Sequence, residues 1–300
     1  MSVDRAECVL DVKDQLGEGI LWCPQEQALY WVDVPMPACI QRYVPATGAH
    51  ERWQTGQIVA SMAKRADGTL LVAAHHGLYV FSPLTGSLKL VAAPEAATPE
   101  NRSNDGCTDP RGRFWYGSMQ NNLAADNSDI GIGAQGVLYK VEAGFRATPM
   151  EGGIGIPNAT CFSPDGTTMY FADTMAGTIF AYDFDADLGA ISNRRVFSDL
   201  TGHGHPDGAT TDAEGYVWSA RWEGGCVIRF APDGRVDRII EVPARRVTCC
   251  VFGDADLETL YITTSRLNVP DAELAGQPQA GGLFAARVGV RGTIKPMFAG

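Results

Sequence analysis

Glu18, Asn104, Asn158 and Asp207 each stand eight residues ahead of a turn position, at Glu26, Gly112, Gly166 and Gly215. Each opens an apolar segment that reads as a β-strand. The same count back from Gly68 and Asp256 gives Ala60 and Thr248, so the chain carries six equivalent strand starts, four of them polar. In a closed ring of repeats, equivalent positions converge on one axis. Glu18, Asn158 and Asp207 would then present two carboxylates and an amide oxygen to a common point. An all-oxygen set suits a hard cation such as Ca²⁺, Mg²⁺ or Mn²⁺ better than the sulfur- and nitrogen-rich sets of structural zinc. Three protein ligands also leave positions open for water and substrate. Gly17 and Gly19 flank Glu18, Pro157 precedes Asn158, and Pro206 and Gly208 flank Asp207. Small or rigid neighbours let the chain turn sharply and bring an oxygen to the axis.

The elements that must position these residues repeat along the chain. The clearest copy runs from Asn158 through Ser163-Pro164-Asp165-Gly166 to Asp173: a short apolar strand, a tight turn and an aromatic-rich return strand. Segments beginning at Asn104 and Asp207 repeat it, and weaker copies begin at Glu18, Ala60 and Thr248. A third strand follows each pair, for example Thr178-Ile-Phe-Ala-Tyr182, and an edge-like fourth such as Val236 to Val242 closes the unit. Four strands in a period of roughly 40–55 residues predict a propeller blade. The fold expected is all-β: a single six-bladed β-propeller of four-stranded antiparallel blades spanning residues 1–300, with little helix. Pro94 to Arg102 and Gln120 to Gln135 read as inserts that could cover the site.

Bulk properties narrow the partners. A net charge of -11 argues against nucleic acid or an anionic membrane, either of which needs a basic face. No apolar run approaches the ~18 residues of a membrane span. Met1-Ser2-Val3-Asp4-Arg5-Ala6-Glu7 lacks the pattern of a secretory signal, and the eight cysteines are scattered without a CxxC pair. Buried free thiols in a reducing cytoplasm are expected. Oligomeric state is left open.

Leu16-Gly-Glu-Gly19, Asn101-Arg-Ser-Asn-Asp-Gly106, Ile156-Pro-Asn158, Phe162-Ser-Pro-Asp-Gly166, Pro206-Asp-Gly208, Thr248-Cys-Cys250 and Ala280-Gly-Gly-Leu-Phe284 occur in an order and spacing that resembles the SMP-30/gluconolactonase/regucalcin family over nearly the whole length. The resemblance implies a lactonase opening sugar lactones with one divalent metal ion (Ca, Mn, Mg or Zn) held by Glu18, Asn158 and Asp207. It further implies Arg102 and Asn104 as substrate contacts, and the mechanism expected has water, activated by the metal or by Asp207 acting as ligand and catalytic base, attack the lactone carbonyl carbon. Where several members carry a glutamate after Gly-Thr-Met, this chain reads Gly117-Ser-Met-Gln-Asn121-Asn122, making Asn121 a candidate specificity residue. Gly202-His-Gly-His205 adds His205 as a further candidate substrate contact. Competing expectations are a noncatalytic calcium-binding propeller, an interaction scaffold and an esterase acting on non-sugar substrates. The pair Arg102 and Asn104 weighs against the first, because holding calcium alone does not require it.

Overall fold

The computed structural model describes residues 4–300, and Met1, Ser2 and Val3 of the segment read for a leader lie outside them. The backbone forms six sheets, five of four strands and one of five. Their inner strands are Gly17–Cys23, Val59–Lys64, Asn101–Thr108, Pro157–Phe162, His205–Thr211 and Arg246–Gly253. Each inner strand packs against the next, and the sixth returns to the first, so the sheets close as the blades of a six-bladed β-propeller. Blades one and four, two and five, and three and six therefore face each other across the axis.

Sequence dictates this layering. The inner strand of blade one, Gly17–Cys23, is buried throughout, because neighbouring blades cover both its faces. The outer strand of that blade, Ala49–Gln54, is made of exposed and half-buried residues only. Between blades the core is aromatic: Trp218 of blade five meets Phe252 of blade six edge-on at 5.6 Å. Burying each such ring stabilises the stack by roughly 1.5–3 kcal/mol. Trp115 and Trp218 both donate from Nε1 to a fully buried carboxylate, Asp109 at 3.0 Å and Asp212 at 2.9 Å. Each pairing satisfies the indole proton inside the core.

Two features depart from a simple repeat. Blade six takes its fourth strand from the N-terminal segment Glu7–Leu10, which pairs with Leu283–Arg287 and so links the two ends of the chain. Blade five gains a fifth strand, Asp4–Arg5, which runs parallel to Val236–Glu241. Helix is confined to Asp271–Leu274 and a 3₁₀ turn at Ala143–Phe145 among the described residues. None is long and apolar enough to cross a membrane. All eight cysteines are free thiols, seven of them buried.

What positions the site is a register slip that recurs in every blade. Pairing between inner and second strand shifts between Glu18 and Leu21, Val59 and Ser61, Ser103 and Gly106, Asn158 and Cys161, Pro206 and Ala209, and Val247 and Cys249. These are the six strand starts counted from the turns. A β-bulge bends the strand and re-aims a side chain, so the repeat carries a built-in device for turning one residue per blade toward the axis.

Candidate active site

Glu18, Arg102, Asn104, Asn158 and Asp207 line one cavity of about 270 Å³ on the axis, together with Asn122, Thr174, Trp222 and Arg246. A larger cleft of about 580 Å³ lies between the turns of blades four and five, remote from these residues, and is lined by Asp165, Arg195, Glu214 and Asp233. The convergence of polar side chains makes the smaller cavity the candidate site.

The local backbone is shaped for this task. Gly19 and Ala159, each following a site residue, have φ of +59° and +53°. A Cβ on Gly19 would stand 2.5 Å from the carbonyl oxygen of Ala60, so only glycine fits where blades one and two meet. Ala159 accepts the same left-handed conformation with a side chain, a local strain of the kind found at functional sites. The two unreactive strand starts serve the frame. Thr248 donates to the Gly17 carbonyl at 2.5 Å, tying blade six to blade one, and Ala60 is buried against Gly19.

Hydrogen bonds fix the amide of Asn158. Its Nδ2 donates to Thr174 Oγ1 at 2.8 Å, and Thr174 in turn donates to the Pro206 carbonyl at 2.7 Å. Its Oδ1 accepts from Asn104 Nδ2 at 3.1 Å, and Asn104 Nδ2 also reaches the Pro157 carbonyl at 2.9 Å. Arg102 is only 3% exposed, yet its hydrogen-bond acceptors are all neutral: the Ser103 carbonyl, Asn104 Oδ1 and Asn122 Oδ1, each at 2.8 Å. Burial lowers its pKa to about 10, which leaves it a cation at neutral pH.

The carboxylates are in the opposite condition. Burial, then repulsion from Asp105, pushes Glu18 up to about 8. Asp207 is driven well above the usual carboxylate range by burial, by Glu18 and by Asp105. Asp105 is itself raised by burial, although its Oδ2 accepts the Thr160 amide at 2.8 Å. Three buried acids around one axis penalise one another's ionisation, a condition that a divalent cation would relieve.

The donor set fits such an ion. Among the described residues no three His, Cys, Asp or Glu side chains gather as a metal cluster. The set at issue differs in kind, since its third oxygen comes from the oriented amide of Asn158. Two carboxylates and an amide oxygen, without sulfur or imidazole, match a hard cation.

Two sequence candidates are placed elsewhere. Asn121 turns into its own loop, donating to the Leu123 carbonyl at 2.9 Å and accepting the Leu123 amide at 3.2 Å. Its neighbour Asn122 lines the cavity instead and holds Arg102. His205 is exposed and lies outside the lining. The loop before it is pinned by fully buried Arg221, whose guanidinium donates to the carbonyls of Leu200, His203 and Gly204. Arg246 and Trp222 were not singled out from sequence. The signal was present for Arg246, which stands two residues before Thr248 as Arg102 stands before Asn104.

A six-bladed propeller with acids and amides converging on its axis is the architecture of an axial-site enzyme or cation-binding protein. The chain belongs to the family described as SMP-30/Gluconolactonase/LRE-like region, whose model matches residues 16–266. It is 35% identical to pentonolactonase XacC of Haloferax volcanii, covering 99% of this chain and 98% of the relative. It is also 35% identical to 6-deoxy-6-sulfogluconolactonase of Pseudomonas putida, with 99% of both chains covered. Among solved structures, the calcium-binding protein regucalcin of Agrobacterium tumefaciens superposes with a TM-score of 0.91 at 32% identity, over 99% of both chains.

Proposed function

We propose that this protein hydrolyses a sugar lactone to its hydroxy acid, using a divalent cation held by Glu18, Asn158 and Asp207. The observation that carries the reading is the placement of a buried, neutrally solvated guanidinium, Arg102, in the same cavity as the three oxygen donors. The similarity to proteins named as lactonases supports the substrate class.

When bound, the cation would supply Lewis acidity toward the lactone carbonyl. The side chains do the rest. Arg102 donates to the ring oxygens, Asn104 Oδ1 accepts from a sugar hydroxyl, and together they fix the carbonyl carbon in reach of water. Asp207 accepts a proton from that water as it attacks. Asp207 belongs to the cavity lining, and a bound cation would keep it ionised for that role. The tetrahedral centre then collapses, the C–O bond of the ring breaks, and the ring oxygen leaves as a hydroxyl after taking up a proton. Asn122 steadies Arg102 through the cycle.

Following acid release from five- and six-carbon aldonolactones by pH-stat, corrected for spontaneous opening, tests the reading. Catalysed opening of at least one ring, lost in Asp207→Ala, is expected. A cation-binding protein that leaves every lactone at its spontaneous rate would instead be a propeller without this activity.

A further inference from the structure

The cavity has a second tier. Arg102 and Arg246 each lie two residues before the bulged position of their inner strand, Asn104 and Thr248. Their blades are the third and the sixth, which face each other across the axis. Both line the cavity, as do Leu16 and Ile156, which hold the same place in blades one and four. Above the oxygen donors, therefore, the wall is made of two opposed guanidinium groups and two aliphatic residues, widened by Met119, Trp222 and Leu267.

Arg246 is held rigidly. Its Nε pairs with Glu223 Oε1 at 2.5 Å, its Nη1 donates to the Leu267 carbonyl, and its guanidinium sits 4.8 Å from the centre of the Trp222 ring. Among the described residues its Nη2 has no hydrogen-bond partner. Glu223 is shared with Arg245, which also pairs with Glu273 at 3.1 Å, so Arg246 does not hold that carboxylate alone. The acid on this wall is Asp129, exposed on the insert at the rim, where water screens it. A substituent that projects from the ring into the upper tier meets hydrogen-bond donors and apolar walls. The unengaged Nη2 in that setting can donate a charge-assisted hydrogen bond to an oxygen of a carboxylate, phosphate or sulfonate.

Resting on the lactone-hydrolase reading, we propose that Arg246 is a specificity-determining residue that selects lactones carrying an anionic group on the carbon farthest from the ring carbonyl. The chain's net charge of -11 would otherwise disfavour such a substrate, so a local cation is what admits it.

The test compares kcat/KM for six-carbon lactones that differ at the terminal carbon: hydroxyl, carboxylate, phosphate or sulfonate. The native protein should favour at least one charged member over the hydroxyl form by about tenfold or more, and the favoured member names the anion. Arg246→Gln should collapse that ratio, chiefly through KM of the charged substrate, and Arg246→Lys should restore part of it. Thermal melting of both variants establishes that they fold, and the lysine variant carries the test if the glutamine one does not. A native preference for the hydroxyl lactone, or an unchanged ratio in Arg246→Gln, overturns the proposal. Failure of every lactone to react would overturn the hydrolase reading instead.

Discussion

Asn104 Nδ2 donates to Asn158 Oδ1 at 3.1 Å, joining neighbouring blades through the two amides that flank the axis. Because Thr174 commits its hydroxyl proton to the Pro206 carbonyl, it can only accept from Asn158, and this leaves the Asn158 oxygen facing the site. Orientation of one proposed ligand thus depends on a hydroxyl that touches no carboxylate of the trio.

Thr174→Val removes that acceptor and frees the Asn158 amide to rotate. Cation affinity, measured by isothermal calorimetry, should fall about 10–100-fold while the fold persists, as is usual when a ligand's outer partner is lost. Unaltered affinity would show that the amide is oriented by Asn104 alone.

Gly19→Ala should destabilise the protein by about 1–3 kcal/mol, from the left-handed backbone and the approach to Ala60. Chemical denaturation measures it. Gly48→Ala is a contrasting control: its φ is also positive, at +70°, but a Cβ there meets nothing within 4 Å.

The pH dependence of the cation-free protein follows from Glu18, whose folded pKa of about 8 lies above its ordinary 4.5. A raised acid takes up protons more readily in the folded state, so its contribution is fully present below 4.5 and is lost as pH climbs toward 8. Raised Asp207 acts in the same direction. Melting temperature without divalent cation should decline across that window, and the stabilisation given by added Ca²⁺ or Mn²⁺ should grow with pH. A melting temperature that rises with pH would contradict the placement of these acids.

Much of this site was legible because the repeat is. The count back from the turns picks out Glu18, Asn104, Asn158 and Asp207. It also predicts Ala60 and Thr248 as non-ligating residues of the same axis, whereas both lie outside the cavity lining and join blades instead. The bulges were not legible, since a register slip depends on how two strands pair and leaves apolar alternation nearly intact. Nor was the closure of blade six by Glu7–Leu10, a pairing between segments almost a full chain apart. Asn121 and Asn122 illustrate a finer limit. Past the end of the strand, one residue decides whether an amide caps its own loop or faces the cavity, and loop backbone sets that choice. Arg246 lies outside the phase that the turns mark, because the cavity is built from two phases of the repeat.

Lactone hydrolysis by this protein is proposed to depend on a cation held by Glu18, Asn158 and Asp207. The most direct measurement is turnover of chelator-stripped protein during titration with single divalent metals, beside calorimetric binding to the native protein and to Asp207→Ala. Negligible turnover in the stripped protein, recovery saturating at one ion per chain, and binding weakened at least about tenfold in the variant are expected. Full activity in the stripped protein, or undiminished binding and turnover in Asp207→Ala, would contradict that dependence.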